Sequence, residues 1–255
     1  MINKILSKIE YFFYRPWLNI PATIYLNLRL CKFSDAIKFP LWFYGRVFLD
    51  NTQGKIKFPN GCKPKMVTFG KIGGHFLSPK GKTYLFLAEN SKILFNGKCS
   101  FSTDISLRIT PGACVEFEDK IKIGDSVKIL ADKFIHIGEG SEITFGCQII
   151  DTNFHYIKDL STNKIKNKAK AIYIGKYNWI GNNTTVMKGT QTPDWCIIAS
   201  QSLTNKKFGN ENYIILAGTP AKIIGHNQKR IYSILKEDNL NTFFKENNNE
   251  YYFDN

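Results

Sequence analysis

A β-solenoid of triangular coils is the fold class this sequence predicts, and three observations carry it. In the segment 171–225, aliphatic residues recur every six positions at Ile174, Ile180 and Val186, then at Ile198 after Thr192 breaks the pattern. Glycine follows two of them, in Ile174-Gly175 and Ile180-Gly181. The same beat runs upstream through Ile123 and Ile129, then Ile137, Ile143 and Ile149, with Gly124 and Gly138 again behind an aliphatic; Leu87, Ile93, Cys99 and Ile105 keep it earlier still. A helix repeats at 3.6 residues and a lone strand alternates at two, so neither fits. A coil whose three faces each take six residues, with one aliphatic per face pointing at the axis, does.

In chain order, residues 1–64 read as a separate cap segment, partly helical. The first sixty lack hexads, are rich in Phe, Tyr, Trp and Pro, and hold nine Lys/Arg against three Asp/Glu. Ile2, Ile5, Leu6, Ile9, Phe12 and Phe13 fall on one helical stripe with Lys4 and Lys8 off it, and Pro16 marks its end. Two readings stand: an interfacial helix on anionic lipid, or a helix covering the open end of the solenoid. Residues 65–225 form the solenoid. Residues 226–255 supply a short helix around 231–235 and then an Asn-rich, loosely held tail.

Composition narrows the function. A chain of 255 residues buries a sizeable core. No apolar run reaches a membrane span and no signal peptide is visible, so a cytoplasmic enzyme is expected, with peripheral contact at the inner membrane face as an addition. The six cysteines form no CxxC pair and no metal-like spacing, and read as small buried thiols in a reducing compartment. The net charge of +14 is scattered and lacks an aromatic-interleaved nucleic-acid motif. A polyanionic cofactor, an anionic glycan or an anionic membrane surface accounts for it equally well.

The segments IYIGKYNWIGNN, IIASQSLTNKK and AGTPAKII resemble the C-terminal half of the hexapeptide-repeat acyltransferases, nearest the galactoside, maltose and polysaccharide O-acetyltransferase branch. The resemblance is strongest over 123–225 and weaker back to about residue 65. It implies a mainly β, left-handed parallel β-helix, a hand that departs from the usual crossover rule.

Chemistry concentrates where the hexads break. After Ile149-Ile150-Asp151-Thr152-Asn153-Phe154-His155, the polar, Lys-rich stretch 156–170 cannot be threaded into a fixed-length coil and must leave as a loop. Loops on rigid scaffolds carry function. In the resembled branch an Asp-x-x-x-His motif stands here, its histidine being the catalytic base; Asp151 and His155 fall on those positions, and Thr152 replaces a frequent additional histidine. An imidazole, with an ordinary pKa of about 6.5, can accept the proton of a sugar hydroxyl attacking a thioester and pass it to the leaving thiolate. Asp151 either orients His155 or fixes the loop turn. His136 reads as a coil residue, while His75 and His226 carry no motif. These separations do not make the three-histidine zinc site of the γ-class carbonic anhydrases, and no metal is expected.

The remaining site residues come from the resemblance. It implies acetyl-coenzyme A as co-substrate, its pantetheine arm lying between neighbouring solenoids, and carries over Asn182, Ser200, Asn205 and Lys206, with Lys206 set to neutralise a phosphate. Trp179 lines that groove or simply packs. Gly225 stands where the family has a basic residue, and Thr192-Pro193-Asp194-Trp195 alters the groove wall. The expected activity is O-acetylation of a sugar of a cell-surface polysaccharide or its precursor. N-acylation of an amino sugar or nucleotide sugar is the alternative, and a non-enzymatic scaffold the outsider. The expected assembly is a homotrimer, with His155 of one chain near Lys206 of another. No nucleic-acid partner is expected.

Overall fold

A computed structural model of the protein describes residues 16–71 and 81–246. The apolar stripe at residues 2–13 and His75 lie outside the described residues. The chain winds through three flat faces in rotation. Leu41–Phe43 opens the first face, Arg46–Thr52 the second and Lys55–Lys57 the third. Later strands add to each in turn, giving sheets of nine, seven and five strands. Pairing on the faces is parallel except for the closing hairpin of Ile215–Gly218 with Ala221–Gly225.

The hexad aliphatics build the axis as the spacing predicts. Ile129, for example, pairs with Leu107 on one side and Ile149 on the other, and all three are fully buried. Each such side chain contributes about 1.5–3 kcal/mol by burial. The glycine behind the aliphatic has a steric cause. A Cβ on Gly181 would lie 2.5 Å from the backbone nitrogen of Ser200, and one on Gly175 would lie 2.4 Å from the carbonyl oxygen of Pro193. The next coil passes too close for a side chain there.

The coils begin at Leu41, ahead of the expected boundary at residue 65. The early turns are filled by Leu41, Phe43, Ile56, Phe58, Val67 and Phe69, all buried, so large rings do the work of the hexad aliphatics and hide the six-residue signature. The helix Ile20–Leu30 covers the open end. Asn19 caps it by accepting from the Ala22 amide at 3.1 Å. Buried Asn27 donates to the Leu41 carbonyl at 2.7 Å and accepts its amide at 3.1 Å, and the Thr23 hydroxyl accepts from Phe43. These side chains satisfy the free edge of the first strand, which would otherwise template another sheet.

At the other end, a helix spans Ile234–Glu246. It starts where a short helix was expected to finish, so part of the expected loose tail is helical; residues 247–255 lie outside the described residues. Before it, the segment 226–233 folds back along the edge between the third and first faces. Arg230 pairs with Glu142, the Tyr232 hydroxyl donates to the Tyr177 carbonyl at 2.9 Å, and His226 meets Glu211 at 2.7 Å. All six cysteines are free thiols, and burial pushes Cys31 and Cys196 up to about 12.

Candidate active site

The strand Gln148–Ile150 ends at the edge between the second and third faces, and there the chain leaves the coil. Asp151 makes that exit. Fully buried, it accepts the backbone amides of Asp132, Lys133 and Phe134 on the preceding coil at 2.7, 2.8 and 2.8 Å. Burial pushes its carboxyl up from the usual range, and the three amides pull against that. Its oxygens are thus occupied by the turn below. Among the described residues no hydrogen bond joins it to His155, and the three amides it accepts favour the turn-fixing alternative of its two readings.

Thr152, where the resemblance would place a histidine, is buried and bridges to Ala169, zipping the loop stem shut. The Asn153 amide donates to the Lys168 carbonyl at 2.9 Å, and the Lys170 amide to the Asp151 carbonyl at 2.9 Å. Beyond this stem the insertion is a two-stranded antiparallel ribbon, Ile157–Asp159 against Lys164–Lys166. Phe154 turns the chain at a φ of 61°, and exposed His155 follows on the coil side of the ribbon.

His155 lines a cleft of about 220 Å³ with Asn153, Ile157 and Lys164, Lys166, Lys168 and Lys188. Lys168 pairs with Asp132 at 3.0 Å. Burial alone would raise the Asp132 carboxyl, but hydrogen bonds from Lys168 and Thr110 and the lysine charge outweigh it and hold the group below its usual range. The Lys188 ammonium donates to the Lys168 carbonyl at 3.0 Å. These lysines were missed in the sequence, although Lys164, Lys166 and Lys168 alternate at the period that puts side chains on one face of a strand.

The other expected site residues divide among three places. Asn205 and Lys206 leave the strand Leu203–Thr204 at the same edge as His155, two coils further along. Coils separated by two strand spacings lie roughly 10 Å apart along the axis, so His155 and Lys206 share an edge within a single chain. Asn182 and Ser200 occupy the edge between the first and second faces, where the Asn182 amide donates to the Ser200 hydroxyl at 3.1 Å. Trp179 stands on the first face with the Arg230 guanidinium 5.0 Å above its ring. One chain therefore does not gather these positions into one pocket. His136 lies 3.4 Å from Glu116 and 3.7 Å from Glu118, as a coil residue would. Among the described residues no group of three His, Cys, Asp or Glu is placed to hold a metal.

No protein-family model matches the chain. It is 28% identical over 135 residues to WbbJ of Escherichia coli (strain K12), a protein assigned as a lipopolysaccharide biosynthesis O-acetyl transferase; the match covers 49% of this chain and 68% of WbbJ. It is 32% identical over 92 residues to the polysialic acid O-acetyltransferase of Neisseria meningitidis, covering 36% of this chain and 39% of that enzyme. The crystal structure of the polySia-specific acetyltransferase NeuO superposes with a TM-score of 0.53 at 21% identity, over 85% of this chain and 91% of that one. The fold is thus the left-handed parallel β-helix of acyltransferases. The sequence relatives are O-acetyltransferases of the hexapeptide-repeat family, and this similarity indicates an acyltransferase.

Proposed function

We propose that the protein transfers an acetyl group from acetyl-coenzyme A to a hydroxyl of a cell-surface polysaccharide or its precursor, with His155 as general base. The observation that carries this reading is the placement of His155. It stands exposed at the mouth of a polar cleft, on a loop whose stem is pinned to two coils. In the reaction the acceptor oxygen bonds to the thioester carbon, its proton passes to the His155 imidazole, and the carbon–sulfur bond breaks. The imidazolium then protonates the departing thiolate. A base so placed typically contributes about 10²–10⁴-fold, and alignment of the two substrates adds to it.

The assembly in this proposal is a homotrimer, and the second face supports it. Leu130, Ile150 and Met187 stand in register on the outside of that face, half-exposed. Such a row of outward aliphatics on a flat face suits a closed ring of identical contacts. A neighbour on that face also brings a second solenoid to the groove where the pantetheine arm would lie, between the edge carrying Asn182 and Ser200 and the edge carrying His155 and Lys206. No described helix is long and apolar enough to cross a membrane; the proposed place of work is the cytoplasm, where acetyl-coenzyme A is supplied.

Incubating the purified protein with acetyl-coenzyme A and a panel of acidic and neutral bacterial polysaccharides, and following thiol release, tests the reading. The expected product carries acetyl groups removed by mild base, as esters are. Acetyl groups resistant to mild base would mark an amide and replace O-transfer with N-transfer.

A further inference from the structure

A second basic surface lies away from His155, at the edge between the third and first faces. Two neighbouring clefts there, of about 610 and 670 Å³, share Lys65 and Lys98 in their walls. The first also takes in Lys71, Lys120 and Lys122 above a floor of Thr68 and Ser100; the second takes in Lys38 and Lys63. The lysines follow from coil register. Cys99 pairs with Ile121, so Lys98 and Lys120 stand one above the other in successive coils.

The acids nearby are largely spent. Glu142 is held by Lys122 and Arg230, Glu139 by Lys120 at 2.9 Å, and an Asp119 oxygen accepts the Lys98 amide at 2.7 Å. Lys65, Lys71 and Lys98 are exposed and meet no carboxylate among the described residues. At its upper end the groove is walled by Tyr177 and Tyr232. Tyr177 is stacked on Trp195, with ring centres 4.3 Å apart and planes 9° apart, and Trp195 lies in turn 5.9 Å from Tyr213. All three adopt the left-handed backbone at the same edge position of successive coils, with φ of 53°, 58° and 63°. A bulky residue in that conformation is uncommon, and here a column of rings results that continues the line of lysines.

We infer that this groove binds a carboxylate-bearing polysaccharide chain at a distance from the reaction, holding a long acceptor while its sugars are presented to the His155 edge. The ligand class rests on the proposed function; the groove does not. Concentrated positive charge in a concave cleft focuses its field on a polyanion, and the half-buried Tyr177 and Tyr232 line its upper end with aromatic edge against which the C–H surfaces of sugar rings can pack. Two contiguous clefts suit a polymer of several units rather than one small anion. A flat bilayer does not reach a recessed floor of Thr68 and Ser100, which favours the glycan over an anionic membrane.

The test is binding without acetyl-coenzyme A, so that it stands or falls separately from catalysis. The full-length protein is titrated with long-chain polysialic acid, the same polymer with its carboxyl groups reduced, phosphatidylglycerol vesicles and single-stranded DNA. The combined variant Lys65→Gln, Lys71→Gln, Lys98→Gln removes three charges that meet no carboxylate among the described residues, and Ser100→Glu independently places a carboxylate on the floor; circular dichroism confirms that each is folded. The expected result is salt-sensitive binding of polysialic acid, weakened at least tenfold by either variant and by carboxyl reduction. Binding unchanged in both folded variants would overturn the inference, as would vesicles or DNA binding through these residues more tightly than the glycan. If glycan binding holds while no acceptor is acetylated, the groove stands and the proposed reaction fails.

Discussion

The two ends of the solenoid share one backbone path and differ in what fills it. In the early coils the axis is packed with rings: Phe43 stacks on Phe69 at 4.8 Å, Phe69 on Phe101 at 4.5 Å, and Phe95 on Phe117 at 5.2 Å, with Phe101 meeting Phe117 edge-on. In the late coils the same inward positions hold Ile174, Ile180, Val186 and Ile198, and Thr190, Thr192 and Thr204 are buried among them. The early coils are thus a scaffold of large interlocking rings. The late coils have a leaner interior, and their edges carry the loop, the cleft and the proposed cofactor positions. The difference teaches that in this architecture stability and chemistry are placed at different heights along one axis.

That division can be broken by mutation, with the largest effect in the rings. Phe101→Ala should cost about 3–5 kcal/mol, because its fully buried ring touches both neighbouring phenylalanine columns. Denaturant unfolding measures this, while acetyl transfer per folded molecule stays near wild type. Asp151→Asn should cost about 1–3 kcal/mol by weakening three buried backbone hydrogen bonds. Its melting temperature should fall clearly while turnover falls modestly; a collapse of turnover at unchanged stability would return Asp151 to the orienting role. Ile180→Val in the late coils should cost only about 0.5–1.5 kcal/mol.

A smaller effect concerns the C-terminal segment. Burial pushes the Glu142 carboxyl up, but hydrogen bonds from Lys122 and Arg230 and the arginine charge outweigh it and hold the group below the ordinary 4.5. A carboxyl depressed by folding adds stability that is complete above its unfolded value and is lost as the pH falls from about 4.5 through the lower folded value. Arg230→Gln should therefore lower stability at neutral pH and flatten the acid side of the profile, its deficit against wild type closing as the pH falls below about 4.5. Thermal melts across that acid range read it directly.

The same division decides what the sequence reveals. Hexads are legible where a small interior admits one aliphatic and the next coil's backbone forbids a side chain behind it, as at Ile180-Gly181. Where Phe43 and Phe69 fill the axis and the strand Arg46–Thr52 shifts register between Leu49 and Asn51, the hexad signature is lost, and the first coil reads as part of a cap. The exit loop was legible because residues 156–170 fit no coil, and His155 stood at its mouth. The role of Asp151 was not, since only the fold brings the Asp132, Lys133 and Phe134 amides to its carboxylate. Nor was the gathering of Lys188 with the ribbon lysines, which depends on coil register across an insertion. The separation of Asn182 and Ser200 from His155 by a whole face is likewise a property of winding, invisible in linear spacing.

The central claim is that His155 is the base. The most direct measurement is steady-state transfer from acetyl-coenzyme A to a polysaccharide acceptor by His155→Ala, with coenzyme A binding and melting temperature measured on the same preparation. His155 is exposed and supports no core contact, so melting temperature and coenzyme A affinity should be unchanged while kcat falls by about 10²–10⁴-fold. Turnover within about threefold of wild type, where a general base should contribute at least about a hundredfold, would contradict the account and remove His155 from the chemistry.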